Sequence, residues 1–426
     1  MLDLKRIRFE PNAVKEQLVK RADSSLTGAV DDVIRLDEER RRLIGEVEQL
    51  KARRNDASKQ IAELKQAGED ASGLIDEMKE VSRRIAEYDG QLGDTNQRIE
   101  DLLLAIPNVP LSPAPAGDES ANEIVRSWGE PVSRQDWHRP HWDIGSALGI
   151  LDLERGARLS GSGFPLYVGA GARLQRALIN FMLDIHLQEH DCVEVQPPYV
   201  VRSETMRGTG QLPKLADDAY HVERDDLWLI PTAEVPLTNL HGDEVLGPDD
   251  VPRRYVAYTP CFRREAGAAG RDTRGVIRVH QFDKVELVRL ERPEDSGAAL
   301  EELTGQAEKI LQRLGLAYRV VLLAAGDMAQ SSAMTYDLEV WSPGVDRWLE
   351  VSSCSNCTDY QARRAGIRFR REPGAKPEFV HTLNGSGLAL PRTIIALLEN
   401  YQRPDGSVEL PEVLHPYMGS TRIEPA

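Results

Sequence analysis

Thr259-Pro-Cys-Phe-Arg-Arg-Glu-Ala-Gly267, followed by Gly270-Arg-Asp-Thr-Arg-Gly275 and by Ile277-Arg-Val-His-Gln-Phe-Asp-Lys-Val-Glu-Leu-Val288, decides how the chain is read. Val256 to Phe262 and Val276 to Val288 are rich in β-branched and aromatic residues, with Phe282, Val285 and Leu287 in strand-like order, so the composition predicts two strands. A glycine-rich, basic loop joins them. Gly267, Gly270 and Gly275 permit tight bends, while Arg263, Arg264, Arg271, Arg274 and Arg278 offer forked donors suited to phosphate oxygens. A plain solvated hairpin fits the same residues, so the meaning of the loop depends on its surroundings.

At 426 residues the chain has room for two or three domains. Its net charge of −16 excludes nucleic-acid binding by bulk charge, so any polyanion must meet local basic patches. Four cysteines, at 192, 261, 354 and 357, are too scattered for a disulfide framework and fit a reducing compartment. Cys354-x-x-Cys357 has no second ligand pair at zinc spacing, so buried structural thiols and no zinc are expected. No apolar run reaches membrane-spanning length, and Met1 to Glu10 carries no apolar signal core. The expectation is a cytoplasmic protein with no membrane partner.

Val33, Leu36, Leu43, Val47, Leu50, Ala57, Ile61 and Leu64 fall on heptad seam positions, interrupted by Arg40 and Arg54. Gln66 to Gly73 supplies a turn. Leu74, Met78, Val81, Ile85, Tyr88, Leu92, Thr95, Ile99, Leu102 and Ile106 then alternate steps of four and three. Two such helices predict an antiparallel coiled-coil arm about 50 Å long at 1.5 Å per residue. Pro107, Pro110, Pro113 and Pro115 end it, which places the domain boundary at 1–108 and 109–426.

Gly117 to Gly145 reads as a polar, extended connector. Beyond it, strand and helix patterns alternate irregularly, predicting an α+β body with a mainly antiparallel β-sheet and flanking helices. Ala170 to Glu189 has the apolar face of a helix and runs into a short strand from Cys192. Gly385-Ser-Gly387 follows Asn384 and so is not a hydrolase elbow, and neither a dinucleotide fingerprint nor a P-loop occurs. His280 and His381 read as packed side chains. The helix from Thr393 to Tyr401, entered through glycines and Arg392, is a plausible anion site. Glu234, Glu265, Glu286 and Glu350 each fit an ordinary ion-pair role; together with the arginines they describe a pocket for an ammonium or metal ion beside phosphates, suited to activation of a zwitterion by a nucleotide.

These residues resemble the bacterial seryl-tRNA synthetases, a class II aminoacyl-tRNA synthetase family, along essentially the whole chain. Helix and strand at about 170–200 look like class II motif 1, about 255–288 with Phe262-Arg-Arg-Glu265 like motif 2, and about 383–401 with Gly387-Leu-Ala-Leu-Pro-Arg392 like motif 3. Thr232-Ala-Glu234, Gly208-Thr-Gly-Gln-Leu-Pro-Lys214 and Leu383-Asn-Gly-Ser386 are similar to segments of the seryl enzymes. The resemblance implies a homodimer that uses ATP and Mg2+ to form seryl-adenylate from L-serine, then charges tRNA(Ser), and tRNA(Sec) where the host has one. It implies a catalytic set of Arg263, Glu265 and Arg392. ATP would lie among Arg263, Arg264, Glu265, Val279, Phe282, Glu350, Val351, Ser352, Ser353 and Arg392, with Glu350 and Ser353 holding magnesium. Serine would lie among Thr232, Ala233, Glu234, Glu286, Asn384 and Ser386. The arm would bind tRNA through Arg40, Arg41, Arg42, Lys51, Arg53, Arg54 and Lys59.

Two other readings stay open at this level. One is a class II paralogue that loads a carrier protein. The other is a second, inhibitor-resistant copy, for which Arg264, Leu390-Pro391 and the segment Ala329 to Met334 are the unusual residues. A non-catalytic interaction protein would have lost the motif arginines and carboxylates, which are all present here.

Overall fold

The structure is a computed structural model that describes residues 1–266 and 274–425; Gly267, Gly270 and Arg271 of the loop therefore lie outside the described residues. The chain separates into two compact units, one of Leu2–Val19 with Asp23–Ile106, the other chiefly of Lys20–Ala22 with Pro107–Ala426.

The first unit is helical: α1 (Leu4–Phe9), α2 (Pro11–Val19), α3 (Ser25–Ala67) and α4 (Ser72–Ala105). Gly68 ends α3 in the left-handed conformation, at φ 76°, and donates its N–H back into the last turn, which lets the chain reverse within four residues. Leu50 and Ala57 of α3 pack with Met78, Val81 and Ile85 of α4, as heptad spacing predicts. The seam drifts at its end, where Leu103 is buried and Leu102 only half-buried; an α-helix does not hold a strict seven-residue repeat without supercoiling. At the root, Asp37 of α3 is buried and takes both Arg8 donors, at 2.7 and 2.9 Å, as well as Arg40 at 2.8 Å. Arg40 thus stays in the seam by pairing with an acid one turn away.

The second unit is built on an eight-stranded sheet. Its strands are β1 (Glu123–Trp128), β2 (Val193–Glu194), β3 (Arg253–Phe262), β4 (Gln281–Glu291), β5 (Tyr318–Leu322), β6 (Met334–Ser342), β7 (Arg347–Asn356) and β8 (His381–Ala389). They lie in the order β1-β5-β6-β7-β8-β4-β3-β2, and every neighbouring pair is antiparallel except β2 with β3. The unit also contains α5 (His141–Ala147), α6 (Ala170–Glu189), α7 (Ser203–Thr209), α8 (Glu234–Thr238), α9 (Ser296–Arg313), α10 (Tyr360–Ala365) and α11 (Leu390–Asn400). Leu174, Leu178 and Met182 of α6, Leu300, Leu303 and Ile310 of α9, and Leu397 of α11 share one apolar core with Val256, Val285, Leu287, Leu338, Val351 and Leu383 of the sheet. One face of the sheet is therefore closed by helices, and the alternate residues face the other way.

Three expectations need correction. The strand predicted from Val276 begins only at Gln281; Val276, Ile277 and Val279 instead bury themselves with Leu151, Leu349 and Ile395, so apolar content there reflects tertiary packing rather than a strand. The connector Gly117 to Gly145 contains β1, an edge strand too exposed for an alternating pattern, and α5. The helix expected from Thr393 to Tyr401 runs instead from Leu390 to Asn400, with Pro391 accommodated in its first turn, where no intrahelical N–H is required.

Candidate active site

Alternation along β4 sends Val285 and Leu287 into the helix-backed core, and Lys284 and Glu286 to the opposite face. Glu286 is fully buried there. The Lys284 ammonium lies 2.5 Å from its Oε2, off the hydrogen-bond direction, and neither carboxylate oxygen has a hydrogen-bond partner. An ionised group this enclosed and this poorly satisfied is costly unless something else completes it.

Glu234, at the start of α8, is the second acid of this pocket. Its carboxyl is pushed up to about 7, first by burial and next by the charge of Glu286. Gln361 of α10 donates to Glu234 Oε1 at 2.6 Å and is itself fixed by Thr382, whose hydroxyl donates to Gln361 Oε1 at 2.6 Å. Thr232 Oγ1 accepts the Glu234 amide at 3.2 Å. Ser386 faces Glu286 in the β8–β4 register, and Asn384 lies two residues before it. Ala233 is enclosed with Leu237, Ala257 and Val288, which leaves its main chain as the part able to meet a ligand.

Two irregularities in the sheet shape the neighbouring ground. The register slips between Leu338 and Glu339 opposite β7, so Val351 and Cys354, three apart, both face the helices. A regular strand would put Glu350 and Ser353 on opposite faces; the bulge brings them together. A second slip, between Ser386 and Leu388, resets β8 in the same way. Asp337 of β6 pairs in register with Ser353, and its Oδ1 is buried without a hydrogen-bond partner. Burial first, and the charge of Glu350 second, raise the Asp337 carboxyl well above the usual carboxylate range. Partial desolvation works against ionisation of Glu350 even though its side chain is 45% exposed, but Arg392, Arg263 and Lys284 outweigh it and hold that carboxyl low.

Arg392, in the first turn of α11, donates to the Glu350 carbonyl at 2.8 Å and to its carboxylate at 3.1 Å, and through Nε to the Ile277 carbonyl at 3.3 Å. Arg263 follows β3, with its guanidinium 5.2 Å from the centre of the Phe282 ring and Nε donating to the Pro231 carbonyl at 3.3 Å. Glu265 takes Arg278 at 3.1 Å. Arg264 turns away, donating to the Asp217 carbonyl at 3.1 Å from an exposed position. Val279 and Val351 are buried in apolar clusters, and the Ser352 hydroxyl is spent on the Ser386 carbonyl at 2.7 Å. These three can offer a ligand main chain rather than side chain.

The sequence reading overlooked Lys284, Gln361 and Asp337. Lys284 had a usable signal, two residues from Glu286 on one strand. Gln361 and Asp337 had none, because folding alone brings them in from distant segments. The four thiols are free and buried, and burial pushes Cys192 up to about 11 and Cys354 up to about 12, which makes them poor nucleophiles. Among the described residues, no three of His, Cys, Asp and Glu are grouped to hold a metal, and no helix is long and apolar enough to cross a membrane.

Comparison with known proteins agrees with this geometry. Residues 220–401 match the family model of the tRNA synthetase class II core domain (G, H, P, S and T), which defines the class of the sheet unit. Residues 1–110 match the seryl-tRNA synthetase N-terminal domain. The serine–tRNA ligase of Geobacillus thermodenitrificans is 58% identical over 424 residues, covering 99% of this chain and 100% of the relative. Seryl-tRNA synthetase from Pyrococcus horikoshii, solved in complex with ATP, superposes with a TM-score of 0.95 at 39% identity, with all of both chains covered. The cytoplasmic serine–tRNA ligase of Naegleria fowleri, solved with AMP, gives 0.89 at 31% identity, covering 100% of this chain and 99% of that one.

The chain belongs to the seryl-tRNA synthetase family. It is an ATP-dependent aminoacyl-tRNA ligase with serine–tRNA ligase activity. Neither the carrier-loading reading nor the second-copy reading gains support from these likenesses.

Proposed function

We propose that the pocket around Glu286 binds L-serine and that the ground between Arg263, Phe282 and Arg392 binds ATP. The observation that carries this is Glu286 itself, a buried carboxylate whose oxygens both lack a hydrogen-bond partner. The serine ammonium and hydroxyl supply the missing donors, and an analogue without the hydroxyl leaves a carboxylate oxygen without a hydrogen bond, so the pocket discriminates by hydrogen bonding. Thr232, Glu234, Asn384 and Ser386 complete the serine site, with the main chain of Ala233.

A serine carboxylate oxygen attacks the α-phosphorus of ATP, the new P–O bond forms as the bond to pyrophosphate breaks, and seryl-adenylate results. Arg263 stabilises charge on the α-phosphate and Arg392 holds the γ-phosphate, while Phe282 stacks on adenine and Glu265 meets its amino group. Arg264 borders this site, and Val279, Val351 and Ser352 meet the nucleotide through main chain. Glu350 and Ser353, with Asp337 beside them, offer oxygen donors suited to a hard cation, and the unpartnered Asp337 Oδ1 fits that role. Mg2+ bound there would neutralise phosphate charge. A terminal ribose hydroxyl of tRNA then attacks the seryl carbonyl, and AMP leaves.

The tRNA(Ser) partner, and tRNA(Sec) where present, is bound by the arm of residues 1–108, with catalysis in 109–426. Arg40, Arg41, Lys51, Arg53 and Lys59 are paired with acids on the arm, but mostly on its surface, where phosphates compete readily. A homodimer formed through 170–200 and a cytoplasmic location complete the proposal. The test is serine-dependent pyrophosphate exchange, followed by charging of total tRNA with and without residues 31–104. Loss of charging with exchange retained is the expected result; loss of neither would overturn the role given to the arm.

A further inference from the structure

The returning end of the arginine-rich loop rests on a buried polar assembly far from it in sequence. Glu399 of α11 and His141 of α5 are both fully buried. Glu399 Oε1 accepts the amide and the ring Nδ1–H of His141, each at 2.9 Å, and Oε2 accepts the Ser342 hydroxyl at 2.9 Å and the amides of Gly344 and Val345 at 2.9 and 3.1 Å. Each oxygen is satisfied, which fixes the carboxylate and through it the imidazole.

The other ring nitrogen faces the loop. The Val276 amide donates to His141 Nε2 at 3.1 Å. A backbone N–H can only donate, so Nε2 carries no proton and the proton sits on Nδ1, toward Glu399. Gly275 lies so close that a Cβ there would come within 2.1 Å of Nε2, and its φ of 71° suits glycine alone. Arg274 lies over the neighbouring Trp142 ring, 4.6 Å from its centre. One residue beyond Val276, the Ile277 carbonyl accepts Arg392. Arg392 and Glu399 are at opposite ends of α11, so one helix holds the loop's return both directly and through His141.

We infer that His141 is a positioning residue for the ATP site: its Nε2 lone pair docks the Val276 amide and thereby fixes the returning arm of the loop that runs between Arg263 and Phe282. This rests on the nucleotide site proposed above. His141 touches no substrate; it acts through the backbone that carries Phe282 and that receives Arg392.

Asparagine and glutamine separate the two sides of the ring. His141→Asn keeps a polar atom near Nδ1 for Glu399 and loses the acceptor for Val276, whereas His141→Gln keeps an acceptor near Nε2. In pyrophosphate exchange, H141N is expected to raise the KM for ATP by roughly fivefold to a hundredfold, the range that follows from a buried amide left unpaired, with the KM for serine within about twofold. H141Q is expected to recover most of that loss. Gly275→Ala, outside the Glu399 assembly, should reproduce the ATP effect, and trypsin should cut after Arg274 faster in both H141N and G275A. An unchanged KM for ATP in folded H141N and G275A overturns the inference. Arg263→Ala is the control: if it keeps normal exchange, the nucleotide site itself is misplaced, whereas a dead R263A beside a normal H141N refutes the role of His141 alone. Should H141N fail to fold, G275A decides.

Discussion

Lys284 and Glu286 stand two residues apart on one face of β4 and meet at 2.5 Å where neither is open to solvent. Removing one partner of a buried pair costs about 3–5 kcal/mol, because the remaining charge is stranded. Lys284→Met is therefore expected to lower the free energy of unfolding by about 3 kcal/mol, and adding Glu286→Gln to restore much of it. Urea denaturation of the single and double variants measures both. A double variant no more stable than K284M would mean the two side chains do not act as a pair.

Glu234 keeps its proton up to about pH 7, for reasons of burial first and the Glu286 charge second, while an unperturbed glutamate releases it near 4.5. Across that window the native state binds more protons than the unfolded state, so stability falls as pH rises, by about 3 kcal/mol in total. Glu234→Gln should flatten this part of the stability profile. In the wild-type chain the KM for serine should fall as pH rises through about 7, when the second carboxylate becomes available to the ammonium; the variant should lose that slope.

Arg263→Ala removes the cation assigned to the α-phosphate. Loss of one such preorganised donor lowers turnover on the order of a hundredfold to a thousandfold, and pyrophosphate exchange should fall by at least that much. The hydrogen bond its side chain donates to the Pro231 carbonyl is long at 3.3 Å, so thermal unfolding should change little. Near-normal exchange would remove Arg263 from the site.

Asp37 holds α1 against α3 through Arg8. Burial pushes its carboxyl up, but bonds from Arg8 and Arg40 win and the carboxyl is held below its usual 3.8. The stabilisation is thus present above that value and disappears as pH falls through the lower, native one. Asp37→Asn is expected to cost the helical unit about 2 kcal/mol, the worth of a hydrogen bond to a charged partner. Circular dichroism of the helical signal during urea unfolding would reveal it, and an unaltered curve would show the pair to be ornamental.

Much of the fold was legible because it is periodic. Ala170 to Glu189 is the helix its apolar face announces, and the arm follows its heptads until Leu103 displaces Leu102. Val276 to His280 misled because β-branched residues look the same in a strand and in a buried irregular segment. The acids of the pocket were visible through their resemblance to motifs. What makes them work was not: Gln361 reaches Glu234, and Glu399 reaches His141, only after the chain has folded. No local pattern marks the slip at Leu338 that turns Glu350 and Ser353 to one side.

The strand order has a bearing on synthesis. The α3–α4 hairpin joins neighbours in sequence and can close as soon as its second helix clears the ribosome. β1 cannot: its Glu123 pairs with Leu322 of β5, so its backbone donors and acceptors, together with Ile124 and Trp128, wait unpaired while most of the sheet unit is still being made. An open strand end is a template for wrong partners. For this chain the period of greatest exposure to aggregation therefore falls between the emergence of β1 and that of β5, and a slowed ribosome in that interval would do more harm than one stalled on the arm.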